Sequence, residues 1–282
     1  TAVGRNALTA NTTGTNVTAV GFEALLSNTT GVNNTGVGVR ALKLNTTGND
    51  NIAIGDFSLD ANTTGDNNVA LGKRALTSNT TGSNNVGIGY RALHQNTTAI
   101  NNVAIGFEAL TTNVTGTANV AVGFQALKLN LASHNTAFGD QALEANTSGI
   151  KNSAVGGNVL KLSTTGAGNV AMGFDAMQAN TTGSNNTAIG KDSLYTNTTA
   201  SENTAIGKDA MFYNTTGYNN AAVGYSALIR NTTGYGNVAV GKGALALDTS
   251  GYYNVAIGES AGKAITTAIN TTAIGRASLD QL

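Results

Sequence analysis

The chain has 282 residues, with no Pro, Cys or Trp, 36 glycines and only 11% charged residues. Its 15 basic and 15 acidic residues cancel without forming blocks, which excludes an electrostatic footprint for nucleic acid or an anionic membrane. No apolar run approaches the ~18 residues that span a bilayer, so no membrane insertion is expected, and the lack of Cys excludes disulfides and zinc–thiolate sites.

Self-similarity dominates the chain. A glycine closes each short apolar stretch, at Gly4, Gly21, Gly38, Gly55 and onward to Gly258 and Gly275. Successive anchors are 17 residues apart except Gly123 and Gly139, which are 16 apart, around "KLNLASHN". Residues 1–282 therefore read as a single repeat array, an all-β parallel solenoid of about 17 coils, with no linker and no second domain.

Within a coil, the first predicted element is a strand of about five residues ending at the anchor. The place before the anchor is always large and apolar, as in Val20, Ile54, Ile88 and Ile105. Two places before stand only Ala or Gly: Ala19, Gly36, Ala53, Ala70, Gly87, Ala104, Ala121, Ala188 and Ala205. Three places before, Val and Thr dominate, and four places before, Asn recurs from Asn34 and Asn51 to Asn237 and Asn254. Because strand side chains alternate, this pattern predicts one bulky face and one flat face. The bulky face is expected in the core. The flat Ala/Gly face predicts close approach of another backbone, either the opposite wall of the same solenoid or a second chain.

After the anchor comes "xxALxx", whose Leu column includes Leu25, Leu42 and Leu76 as core plugs. Its composition favours a helical turn, but full helices pack 8–10 Å apart, too far for coils stacked at strand spacing. The segment is therefore expected to be extended or wound into a single tight turn. "NTTG" then closes the coil as a turn, with its Gly expected at positive φ. Its Asn column (Asn28, Asn45, Asn62, Asn79, Asn96, Asn180, Asn197, Asn214, Asn231) is expected to form a hydrogen-bonded ladder between coils. The same turns match Asn-x-Ser/Thr, so Asn28, Asn45, Asn62 and Asn214 are also formal glycan acceptors if they point outward.

Chemistry is sparse. His94 and His134 stand in variable places of different coils with no carboxylate in fixed register, and no calcium loop or phosphate-binding glycine motif emerges, so neither an enzyme nor a cofactor or metal site is expected. Aromatic residues recur just after the anchor (Phe22, Tyr90, Phe107, Phe124), and tyrosines thicken toward the C-terminal third (Tyr213, Tyr218, Tyr225, Tyr235, Tyr252, Tyr253), a candidate contact region for surface glycans.

The "NTTGxNNTAIGxxAL" repeat resembles arrays in bacterial and phage tail-fibre-like proteins, and the "NVAIG" strand is similar to coils in the heads of trimeric autotransporter adhesins. The resemblance implies a left-handed parallel β-roll, trimeric, on a cell or virion surface. The expected function is a structural subunit of an extracellular fibre or filament, its partners copies of itself, self-assembling through stacked coils and the Ala/Gly face. The alternatives are the shaft of a trimeric adhesin or tail fibre whose tip lies outside this chain and, more remotely, an ice-binding solenoid. Neither end carries a polar cap, so the array is expected either to be part of a longer chain or to have its ends covered by other copies.

Overall fold

The computed structural model describes residues 1–280, which fold into an all-β parallel solenoid without helix. Two compact units divide the chain, Thr1–Asp140 and Gln141–Leu282, and the division follows directly on the anchor that ends the 16-residue interval. The first unit carries β1 (Ala2–Val3), β2 (Thr18–Val20), β3 (Thr35–Val37), β4 (Ile52–Ile54), β5 (Val69–Leu71), β6 (Val86–Ile88), β7 (Val103–Ile105), β8 (Val120–Val122) and β9 (Thr136–Phe138). The second carries β10 (Ser153–Val155), β11 (Val170–Met172), β12 (Thr187–Ile189), β13 (Thr204–Ile206), β14 (Ala221–Val223), β15 (Val238–Val240), β16 (Val255–Ile257) and β17 (Thr272–Ile274). Within each unit consecutive strands pair in parallel, each residue opposite its homologue, as in Ala53↔Ala70 and Ala188↔Ala205. The strands are three residues long (two in β1), shorter than the five expected.

Strand polarity is the reverse of the one expected. Ala19, Ala53, Ala70, Ala104, Ala121, Ala188 and Ala205 are fully buried. Gly36 and Gly87 are buried with them. A Cβ built on Gly36 would lie 3.2 Å from Leu25 Cδ1 and from the Ala41 carbonyl, so the column is small because the leucine plugs of the same solenoid press on it. The large residues point out instead. Ile54 and Ile105 are exposed, and Val20 and Ile88 are only half-buried, so this column is not core. Leu25, Leu42 and Leu76 are fully buried, each worth roughly 2–3 kcal/mol in water-excluded area.

The "xxALxx" segment is a tight irregular turn. The second and fourth residues after each anchor take left-handed φ, for example Arg40 at 59° and Leu42 at 51°. That conformation costs an ordinary side chain ~1 kcal/mol or more, and hydrogen bonds to both neighbouring coils offset it. The Arg40 N–H donates back to the Phe22 carbonyl at 2.8 Å, while the Leu42 N–H donates forward to the Ser58 carbonyl at 3.0 Å. Where Ser58 and Ser193 replace the buried Ala of this segment, the hydroxyl is satisfied within the turn: Ser58 Oγ donates to the Gly55 carbonyl at 2.7 Å and Ser193 Oγ to the Gly190 carbonyl at 2.9 Å. One coil exchanges its plug. Gly262 stands where Leu is usual, and Ile265, at the place of the turn Asn, is buried against it with its Cδ1 3.0 Å from the position a Gly262 Cβ would take.

Two kinds of glycine are required, for different reasons. Anchor glycines sit at φ between 111° and 139°, a region essentially closed to L-side chains. The turn glycines of "NTTG" are not at positive φ, contrary to expectation; they are small because the chain has no room there. A Cβ on Gly48 would lie 2.5 Å from both Asn45 Oδ1 and the Gly65 carbonyl oxygen. In the coils where Ala99 and Ala200 occupy this place, the N–H bonds of Thr97 and Thr198 to the next coil are 3.3 Å long, against 2.9 Å at Thr46.

The anchor column separates backbone strain from steric overlap. A Cβ on Gly190 would lie 2.6 Å from the Gly207 carbonyl carbon and oxygen, whereas one on Gly275 would meet nothing within 4 Å. Thermal or denaturant unfolding should show Gly275→Ala losing only the conformational cost, ~1–3 kcal/mol, and Gly190→Ala losing distinctly more. Equal losses would show that overlap with the next coil contributes nothing.

Candidate functional site

The interior of each coil is half aliphatic and half amide. From Asn28 onward the turn asparagines are fully buried, and they form the expected ladder. In the first unit Nδ2 donates to the Oδ1 one coil before from Asn28 to Asn11, Asn45 to Asn28, Asn62 to Asn45, Asn79 to Asn62 and Asn96 to Asn79, at 2.8–2.9 Å, and from Asn113 to Asn96 at 3.2 Å; Asn113 Oδ1 then lacks a donor, so the ladder breaks at the 16-residue interval. In the second unit Asn197, Asn214 and Asn231 repeat the bond to Asn180, Asn197 and Asn214 at 2.8, 3.0 and 2.7 Å. Each Nδ2 also closes its own turn, as when Asn62 donates to the Gly65 carbonyl at 3.0 Å. With both amide protons used and no exposed surface, Asn28, Asn45, Asn62 and Asn214 cannot carry a glycan in the folded chain.

A second ladder is built from the Asn four places before the anchor, a column visible in the sequence whose role only the stacking reveals. Asn51 is typical. Its N–H and Nδ2 both donate to Asn34 Oδ1, at 3.0 and 3.2 Å, and Nδ2 also donates to the Gly65 carbonyl of the next coil at 2.8 Å. Within the second unit the bond from each backbone N–H to the preceding Oδ1 continues from Asn169 to Thr271 without a break. The Asn before it in "NN" serves the backbone instead. Asn33, Asn67 and Asn84 hold left-handed φ, which Asn tolerates better than most residues.

The first ladder is interrupted in the second unit at three substitutions, Ser163, Asp248 and Ile265. Ser163 is buried and its Oγ has no partner, because the hydroxyl is too short to replace an amide. Asp248 is also fully buried; Gly251 N–H donates to its Oδ1 at 2.7 Å and Asn254 Nδ2 to its Oδ2 at 3.2 Å. A carboxylate has no proton for the coil before it, and Asn231 Oδ1 is left without a donor. Burial pushes the Asp248 pKa up, against the lowering effect of the hydrogen bonds it accepts from Gly251, Asn254 and Ser250.

Outside, two surfaces stand out. The first is the outward face of the strands. In the second unit it presents Val155, Val170, Met172, Ile189, Ile206, Val223, Val240, Ile257 and Ile274, all exposed, without a charged residue among them. Repeated at coil spacing, they form an apolar strip of the kind that marks interaction surfaces. The second surface is a groove of about 440 Å³ lined by Thr196, Tyr213, Thr215, Arg230, Thr232 and Thr249.

Of the tyrosines in the C-terminal third, Tyr218, Tyr235 and Tyr252 stack nearly parallel at 4.9 and 5.0 Å, and Tyr213 enters the groove. Tyr253 packs edge-on to Tyr235 and Tyr252, lying over Gly236, where a Cβ would sit 2.7 Å from its ring. In the first unit Tyr90, Phe107 and Phe124 form an exposed stack at 5.3 and 5.4 Å. His94, half-buried, has Nδ1 3.4 Å from the Arg74 carbonyl, and burial lowers its pKa; His134 is exposed. The structure does not bring the two together. Among the described residues no group of three or more His, Cys, Asp or Glu is placed to hold a metal ion, and no helix is long and apolar enough to cross a membrane.

The Asp248 defect makes stability depend on pH. Because the folded-state pKa lies above the unfolded one, the proton's contribution is fully present below the unfolded value and is lost as pH rises through the folded value. Asp248→Asn should supply the missing donor permanently, raising stability at pH 7 by ~1–3 kcal/mol and removing this part of the pH dependence. Melting curves of both proteins from pH 4 to 8 check it: the gap between them should widen with pH.

No protein-family model matches the chain, and neither the curated proteins nor the solved structures give a match. The functional reading therefore rests on the residues themselves.

Proposed function

We propose that this chain is a structural segment of an extracellular or virion-surface fibre, in which copies of the chain associate side by side through the outward faces of their strands. The observation that carries the reading is the uncharged column of Val, Ile, Leu, Met and Phe before each anchor, exposed throughout the second unit and exposed or half-buried in the first. A second copy suits it because the column repeats at strand spacing, and two identical columns can interdigitate at every coil. Association through the Ala/Gly column, expected from sequence, is ruled out by its burial within the chain's own coils.

The reading also draws support from the sequence resemblance to tail-fibre-like and adhesin arrays and from a fold whose side chains are spent on stacking. In the shaft variant, the same segment would carry a tip that lies elsewhere. An ice-binding role would call for a flat paired-threonine face. Here the first Thr of the pair is half-buried with its hydroxyl donated to the next coil, as when Thr46 Oγ1 donates to the Thr63 carbonyl at 3.0 Å, leaving one fully exposed column.

Analytical ultracentrifugation and electron microscopy with mass per unit length test the proposal. The protein should run as an oligomer or filament, and the double substitution Ile189→Lys, Ile206→Lys should release monomers while the circular-dichroism spectrum and melting temperature stay close to those of the parent. A parent protein that remains monomeric at high micromolar concentration, or a double variant of unchanged mass, would overturn it.

A further inference from the structure

We infer that the groove beside Tyr213 and Arg230 is a binding site for an acidic oligosaccharide. Both residues occupy the sixth place after their anchors, in consecutive coils, and the first threonines of the following turns, Thr215, Thr232 and Thr249, form the rest of the lining with Thr196. The groove is therefore a local widening of the regular surface, made where Tyr and Arg replace the small or aliphatic residues that fill this place in many other coils, such as Ala61, Ala145 and Ala179.

Tyr213 is held in place. Its ring meets Phe212 edge-on at 4.7 Å, and Phe212 is itself stacked on Tyr195 at 5.0 Å. Thr196 Oγ1 reaches the carbonyls on both sides of it, Phe212 at 2.8 Å and Asn214 at 3.1 Å, and so clamps the backbone that carries the ring. The ring is half exposed (50%), and its hydroxyl has no hydrogen-bond partner among the described residues. Arg230 is exposed and, among the described residues, has no ion pair. An aromatic plate and a guanidinium thus lie one coil apart, ~4.8 Å along the stack, close to the length of one sugar ring.

The polarity of the floor selects the ligand class. Thr215, Thr232 and Thr249 each donate the hydroxyl proton to the carbonyl of the next coil's threonine, at 3.0, 2.9 and 3.1 Å. Their methyl groups leave the lining mostly apolar, and the hydroxyl oxygens, their protons already donated, add acceptors rather than donors. Arg230 is the cationic donor. A ligand that fits must carry several hydroxyl donors, an apolar C–H face for Tyr213 and an anion for Arg230, which a uronate or sialate chain combines. An acidic peptide supplies the anion but brings backbone carbonyls that find few donors here.

Titration calorimetry and saturation-transfer NMR on the full chain, with hexagalacturonate as the probe, test the site. Saturable binding that weakens with added salt is expected, with saturation transferred from the protein to the C–H protons of the sugar rings. Tyr213→Ala and Arg230→Gln should each weaken it about tenfold, whereas Lys263→Gln should leave it unchanged, all with parental melting curves. The inference fails if hexagalacturonate does not bind at millimolar concentration, if hexaglutamate binds equally well, or if both groove variants bind like the parent. Its outcome is independent of self-association, because the groove lies outside the exposed strand column.

Discussion

A coil that advances by one strand spacing, about 4.8 Å, sets each residue against its own counterpart in the next coil. Only side chains that bond or pack with their own kind suit such a column. Asn does so because one amide both donates and accepts, which a carboxylate or a hydroxyl of the wrong length cannot copy. Leu does so because plugs in successive coils nest. The spacing also dictates the glycines: at the anchors and the turns the backbone of the next coil is already where a Cβ would go.

The buried amides answer a problem that a narrow solenoid cannot avoid. Its turns lie against the interior, where unpaired carbonyls and N–H groups would cost ~1–3 kcal/mol each. The two Asn columns absorb them. The turn column closes each "NTTG" on itself while linking to the coil before, and the pre-strand column ties the preceding Oδ1 to the following turn's carbonyl. The columns differ in how they fail. Turn asparagines are replaced by Ser163, Asp248 and Ile265, and at the first two a polar atom is orphaned. The pre-strand column, which from Asn34 onward also accepts from backbone N–H groups of following coils, runs unbroken through the coils of Ser163 and Asp248.

Much of this was legible in the sequence. Period, parallel stacking, the leucine plugs and the turn-Asn ladder all follow from columns in which one residue type recurs at 17-residue spacing. The sidedness of the strand was not, because alternation says which residues share a face and not which face is inside. Size suggested that Val20, Ile54, Ile88 and Ile105 were core; the volume already filled by Leu42 and its counterparts leaves room inward only for Ala or Gly. The turn glycines misled for a related reason. Gly after Asn reads as a positive-φ turn, yet the constraint at Gly48 is a neighbouring coil, which no local motif encodes. The groove was half legible: Tyr213 belonged to a visible cluster, but Arg230 and the threonines join it only through stacking.

The inverted sidedness carries the functional argument further than the fold does. A β-branched aliphatic residue facing water in one coil is ordinary. The same choice repeated in nearly every coil, with no Lys or Glu admitted in the column before the anchor, is unlike the charged and interrupted surfaces that keep solvent-facing strands apart. Charge is not scarce elsewhere on the surface: Glu23, Arg40, Lys43 and Asp60 form ion pairs on the turn side of the coils. Lys and Asp are thus tolerated at many exposed places and missing from this one. A column held free of charge while its surroundings are not is the feature on which the proposed side-by-side association rests, and a second copy of the chain is the proposed partner because it repeats the same coil spacing.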